Sequence, residues 1–220
     1  MSDLERLFTP VPVEVRADRG DKHTIGGYAA VFNRESENLG GFVERLAPSV
    51  FNETRGRGWP GVMARYNHSD DFLLGNSDSG TLRLSVDGTG LIYEVDVPNA
   101  LPLVYELVQR GDVRKSSVAF RTYEDDWDHS GQDYPRRTVV SAQLVDVAPV
   151  NMPAYHDTTV GLRSLAAKFD ADIEEVRKLA ETNELRRFFV RTDGGLKPKA
   201  PTSGRAAVAE LLGKQASPVA

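Results

Sequence analysis

The chain of 220 residues contains no cysteine, which excludes disulfides and thiolate metal centres outright and fits a reducing compartment. No stretch approaches the ~18 consecutive apolar residues of a membrane-spanning helix. The opening Met-Ser-Asp-Leu-Glu-Arg has no apolar run suited to a signal peptide, so neither export by that route nor membrane insertion is expected. Histidine is scarce, at four. His23, His129 and His156 stand in polar surroundings without helical ligand spacing, so no metal site and no cofactor is expected. There is no internal repeat. The remaining composition, 40% hydrophobic and 27% charged, is that of an ordinary globular protein, long enough for one domain with a core plus an appendage.

The net charge of -5 is unevenly spread. Residues 191–220 carry five Lys or Arg against two Asp or Glu, residues 161–190 balance six against six, and residues 1–160 hold the excess of -8. An acidic body argues against nucleic-acid binding, while a basic tail is suited to an acidic protein surface.

Strand patterning dominates as far as Val150. Val11 to Ala17 and Thr24 to Phe32 alternate as strands, with Gly26-Gly27 marking a bulge or a close backbone approach. Thr81–Val86 and Leu91–Val97 form the clearest hairpin, turning at 87–90. Pro98-Asn99 is expected to open a helix capped by Asn99, with Leu101, Val104, Tyr105 and Val108 as its buried stripe and Gly111 as its left-handed stop. Ser116–Trp127 and Thr138–Val147 read as long strands, the second presenting Val140, Ala142, Leu144 and Asp146 on one face. Asp172-Ile-Glu-Glu175 resembles a capping box at the head of an amphipathic helix, and a shorter amphipathic piece spans Glu184–Val190. From Arg191 onward Gly, Pro, Ala, Ser and Lys prevail, as in a disordered tail.

The chemistry-bearing stretch is Arg110 to Phe120. Its strand puts Val118 and Phe120 on one face and Ser117, Ala119 and Arg121 on the other. A serine needs a base to become a nucleophile, and that base needs an orienting partner. His68 and Asp146 supply the residue types, in the chain order His, Ser, Asp. Each also has an ordinary reading: His68 as a surface histidine held by Asp70 or Asp71, Asp146 as half of a salt bridge to an arginine. Lys115 shares a face with Ser117 and offers a serine-lysine dyad as an alternative.

Several motifs, in one order, carry a resemblance: Gly27-Tyr-Ala-Ala-Val-Phe-Asn33, Gly41-Phe-Val-Glu-Arg-Leu-Ala-Pro48, Tyr66-Asn-His68, Gly80-Thr-Leu-Arg-Leu84, Arg110-Gly-Asp112 with Ser117 to Phe120, and Pro149 to Tyr155. From about Tyr28 to Arg163 the chain resembles the caudovirus prohead proteases, the capsid-maturation serine proteases of tailed phages. The resemblance implies a herpesvirus-assemblin-like fold with His68 as base, Ser117 as nucleophile and Asp146 as third member. Where relatives commonly have Met-Ser-Phe-Gly-Phe this chain has Ser116-Ser-Val-Ala-Phe120; register favours Ser117 over Ser116. The position two after Asp146, often serine, is Ala148, and the third member is often glutamate.

The expected architecture is therefore mainly β: a closed, mainly antiparallel β-barrel with a few surrounding helices, then a helical segment and a flexible tail. The expected division is a protease domain at 1–163, a helical appendage at 164–191 and the tail at 192–220. By resemblance the substrates are the scaffold protein or the scaffold-like arm of the major capsid protein, and the protease itself, inside the procapsid in the bacterial cytoplasm. Homo-oligomerisation is left open, and a non-catalytic assembly factor on the same fold is the alternative.

Overall fold

The computed structural model describes residues 3–9, 11–19, 22–129, 133–151 and 158–189. Its strands are β1 (Glu5–Thr9), β2 (Glu14–Arg19), β3 (Lys22–Val31), β4 (Val43–Leu46), β5 (Met63–Arg65), β6 (Leu73–Asn76), β7 (Leu82–Val86), β8 (Gly90–Val97), β9 (Lys115–Asp128) and β10 (Arg136–Val150). The helices are α1 (Asn52–Gly56), α2 (Pro102–Arg110), α3 (Thr158–Phe169) and α4 (Ile173–Glu181).

The strands form two sheets rather than a closed barrel. One runs β1-β9-β10-β5-β6, with β4 also on β10; the other runs β2-β3-β8-β7 and is antiparallel throughout. The first sheet is mixed, because β4 and β5 both lie parallel to β10 along one of its edges. They precede β10 in the chain and are joined through α1, so they reach that edge running in its direction. The expected closure fails because β1 and β6 remain edges of one sheet and β2 and β7 of the other. By backbone the sheets meet where Phe32 bridges Leu46 and where the Val13 N–H donates to the Arg114 carbonyl at 2.9 Å.

The sheets are held instead by a shared core. Leu7, Val118, Phe120 and Leu144 from the first meet Ile25, Leu82, Tyr93 and Val95 from the second. Gly26 and Gly27 allow the close approach their pairing suggested: a Cβ on Gly26 would stand 2.3 Å from the Tyr93 carbonyl oxygen. The α2 helix starts later than the sequence predicts, with Leu101 at the cap and Pro102 in its first turn, where its fixed φ costs nothing. Val104, Tyr105 and Val108 are buried and Gly111 closes the helix at φ 79°, both as expected.

A second, smaller core lies where α3 and α4 pack on the far end of the β9–β10 hairpin, around Phe42, Trp127, Leu162, Leu165, Phe169 and Val176. Ser164 Oγ ties the two together, accepting from Trp127 Nε1 at 3.1 Å and donating to Asp125 Oδ1 at 2.7 Å. Asp172 caps α4, accepting from the backbone N–H groups of Glu174 and Glu175. The boundary at 163/164 falls inside α3, and the tail at 192–220 lies outside the described residues.

Candidate active site

Residues directly opposite in an antiparallel pair share a face of the sheet. Leu144 lies opposite Phe120, but Asp146 lies opposite Ala119, because Val145 is an extra, unpaired residue between them. This β-bulge moves Asp146 off the face of Leu144, where strict alternation places it, onto the face that carries Ser117. At the start of β10 further register shifts around Ser141 break the alternation, so that Val139 rather than Val140 is buried with Ala142 and Leu144.

His68 arrives from the neighbouring strand. β5 pairs with β10 at Asp146 and ends at Arg65, and the chain then turns sharply through Tyr66, Asn67 and His68. Asn67 and His68 both have left-handed backbones, at φ 54° and 57°, an uncommon and costly conformation for residues with a Cβ. The turn is pinned by Asn67 Oδ1, which accepts from the backbone N–H of Asn151 at 3.1 Å, just past the end of β10.

The three side chains predicted from sequence are thereby brought together. His68 Nε2 is 2.8 Å from Ser117 Oγ, and His68 Nδ1 is 2.5 Å from Asp146 Oδ1. All three residues are buried, with Ser117 2%, Asp146 2% and His68 9% exposed. Ser116 points the other way, its Oγ 3.1 Å from the Tyr93 hydroxyl between the two sheets. Burial there, above all, pushes the Tyr93 phenol well above its usual range. The Lys115 amine sits over the Phe8 ring, 5.6 Å from its centroid, whereas the His68 imidazole lies beside Ser117 Oγ.

A model of the Caudovirus prohead serine protease family matches residues 11–171. The chain belongs to that family. No curated protein and no solved structure matches it. The protein is thus a serine protease of the kind that matures phage capsids.

Two partners of this constellation lie beyond what the motifs of the protease reveal. Arg65 Nη1 donates to Asp146 Oδ2 at 2.8 Å, while its other terminal nitrogen stands 2.9 Å from the exposed Asp70. The alternatives for Asp146, histidine or arginine, are both realised, one on each oxygen. Ser117 Oγ also lies 3.1 Å from the Leu7 carbonyl on β1, a strand the sequence patterning did not predict. Opposing charge near a catalytic-type carboxylate is a signal one could seek in Arg65-Tyr-Asn-His68. The Leu7 contact is made by backbone and has no residue signature.

Proposed function

We propose that Ser117 is the nucleophile, His68 the general base and Asp146 the carboxylate that fixes the imidazole tautomer. Ser117 Oγ attacks the scissile carbonyl carbon while its proton passes to His68 Nε2. The peptide C–N bond then breaks as His68 returns that proton to the departing amine. Water, deprotonated by the same imidazole, releases the acyl group. The observation that carries this reading is the unbroken hydrogen-bond line from Ser117 Oγ through both imidazole nitrogens to Asp146.

The substrates that the family membership suggests are the scaffold protein or the scaffold-like arm of the major capsid protein, and the chain itself, inside the procapsid. Co-expression with the capsid protein tests this on one gel. Processing by the wild type, absent with Ser117→Ala, is the expected result; equal processing by both contradicts it. The burial of Ser117 is the one observation that favours a non-catalytic assembly role. That role predicts an unprocessed capsid protein with either chain, and normal particle assembly that depends on the chain being present.

A further inference from the structure

Ser117 is assembled with its base, yet it is 2% exposed and no peptide can reach it. What covers one side is β1. It forms the edge of the first sheet, antiparallel to β9, with Phe8 directly opposite Ser117 and Leu7 opposite Val118. The Leu7 carbonyl oxygen competes with His68 for the single hydroxyl proton of Ser117, at 3.1 Å against 2.8 Å. A hydroxyl that donates to a carbonyl cannot at the same time pass its proton to imidazole. β1 also lies before residue 11, where the family match begins.

We propose that the β9 edge beside Ser117 is the docking edge for an extended substrate peptide, and that β1 occupies it as a built-in stand-in that leaves before catalysis. The proposal rests on Ser117 being the nucleophile. Adding a strand to a sheet edge gives main-chain hydrogen bonds independent of sequence, while alternate side chains fill pockets that supply specificity. β1 shows which pockets those are. Leu7 enters the main core, and Glu5, buried two residues earlier, pairs with the guanidinium of Arg137 and accepts from Thr122 Oγ1. The favoured substrate therefore has an acidic residue, one residue of any kind, then an apolar residue.

Exchange is feasible on both counts. Arg137 faces three carboxylates, Glu5, Glu44 and Asp125, and keeps two when Glu5 departs. The space left by Leu7 is refilled by the incoming apolar side chain. A cavity lined by Leu7, Phe8, Thr9, Val31 and Arg34 borders β1.

The absence of cysteine makes a direct test available. Arg6 and Ala119 are opposite one another on β1 and β9, and Arg6→Cys with Ala119→Cys allows the strand to be locked by oxidation and freed by reduction. The readout is the rate at which a fluorophosphonate labels Ser117, compared with the full chain and with a chain beginning at Val11. The oxidised pair is expected to label at least tenfold more slowly than the same protein reduced. The shortened chain is expected to label at least tenfold faster than the full one, and to be slowed by an added peptide of sequence Glu-Arg-Leu-Phe-Thr. Equal labelling of the oxidised and reduced pair, or a folded shortened chain no faster than the full one, overturns the proposal. Should the shortened chain fail to fold, the oxidised and reduced pair decides; should the pair be dead when reduced, the shortened chain decides. Labelling that persists in Ser117→Ala, or that no form shows, strikes at the nucleophile itself.

Discussion

Asp146 has opposite demands on its two oxygens: His68 Nδ1 on one and the Arg65 guanidinium on the other. The guanidinium holds the carboxylate in the orientation that meets His68. Arg65→Gln should lower kcat/KM by roughly tenfold, mostly through kcat, because the freed carboxylate can turn away from the imidazole. Arg65→Lys should restore part of the loss, since an ammonium can hold one carboxylate oxygen without the fork. Unchanged kcat/KM with altered stability would make Arg65 purely structural. At the neighbouring serine the expectation reverses: Ser116→Ala loses its hydrogen bond to Tyr93, costing about 1 kcal/mol in urea unfolding, and keeps its activity. That His68, Ser117 and Asp146 belong together was legible only through the motifs of the family resemblance, since each residue alone also has an ordinary surface or salt-bridge reading. The mutual placement was not. It depends on the unpaired Val145 and on two left-handed residues at Asn67 and His68, and neither Val nor His announces such a backbone.

At the scale of elements, the β9–β10 hairpin was readable from its long alternation, and β1 was missed because it is five residues long and buries a glutamate. Glu5 is acceptable there only beside Arg137, which is 1% exposed and also pairs with Glu44 and Asp125 across β4, β9 and β10. Replacing Arg137 by methionine leaves two buried carboxylates, Glu5 and Glu44, and the partly buried Asp125 without this cation and should cost at least about 3 kcal/mol. Urea unfolding at pH 8 measures this; a loss below 1 kcal/mol would contradict it. Burial, opposed by Arg137 and reinforced by Glu5, pushes the Glu44 carboxyl up from 4.5 to about 7. The folded chain thus holds a proton that the unfolded chain releases near 4.5. The associated stability is complete below about 4.5 and is lost as pH rises to about 7. Glu44→Gln should flatten that fall and raise Tm at pH 8 by the equivalent of roughly 1–3 kcal/mol, with little gain at pH 4.5. A variant whose Tm falls equally at both pH values would refute the assignment.

For the molecule as a whole, two sheets sharing one core position the site, and the helices after Thr158 form a second core against Phe42 and Trp127. The sequence signalled the strands but not whether the sheets would close, since closure depends on which edges meet and not on alternation within any one strand. Self-cleavage is expected between about Leu162 and Ala220. The packing of α3 and α4 protects that part of the range, because a cleaved bond must lie in chain free of its own fold. Mass spectrometry of incubated wild type against Ser117→Ala should show shortening from the C-terminal side in the wild type alone, with the core from Val11 to Tyr155 whole. Equal trimming in both would point to a host protease.

The measurement that bears most directly on the central claim is the mapping of a covalent fluorophosphonate adduct on the protease, compared across wild type, Ser116→Ala, Ser117→Ala and His68→Ala. An activated serine reacts orders of magnitude faster than an ordinary hydroxyl. The adduct is predicted on Ser117 in the wild type and in Ser116→Ala, and absent from both Ser117→Ala and His68→Ala. An adduct on Ser116, or labelling of Ser117 that survives the loss of His68, would contradict the assignment of nucleophile and base.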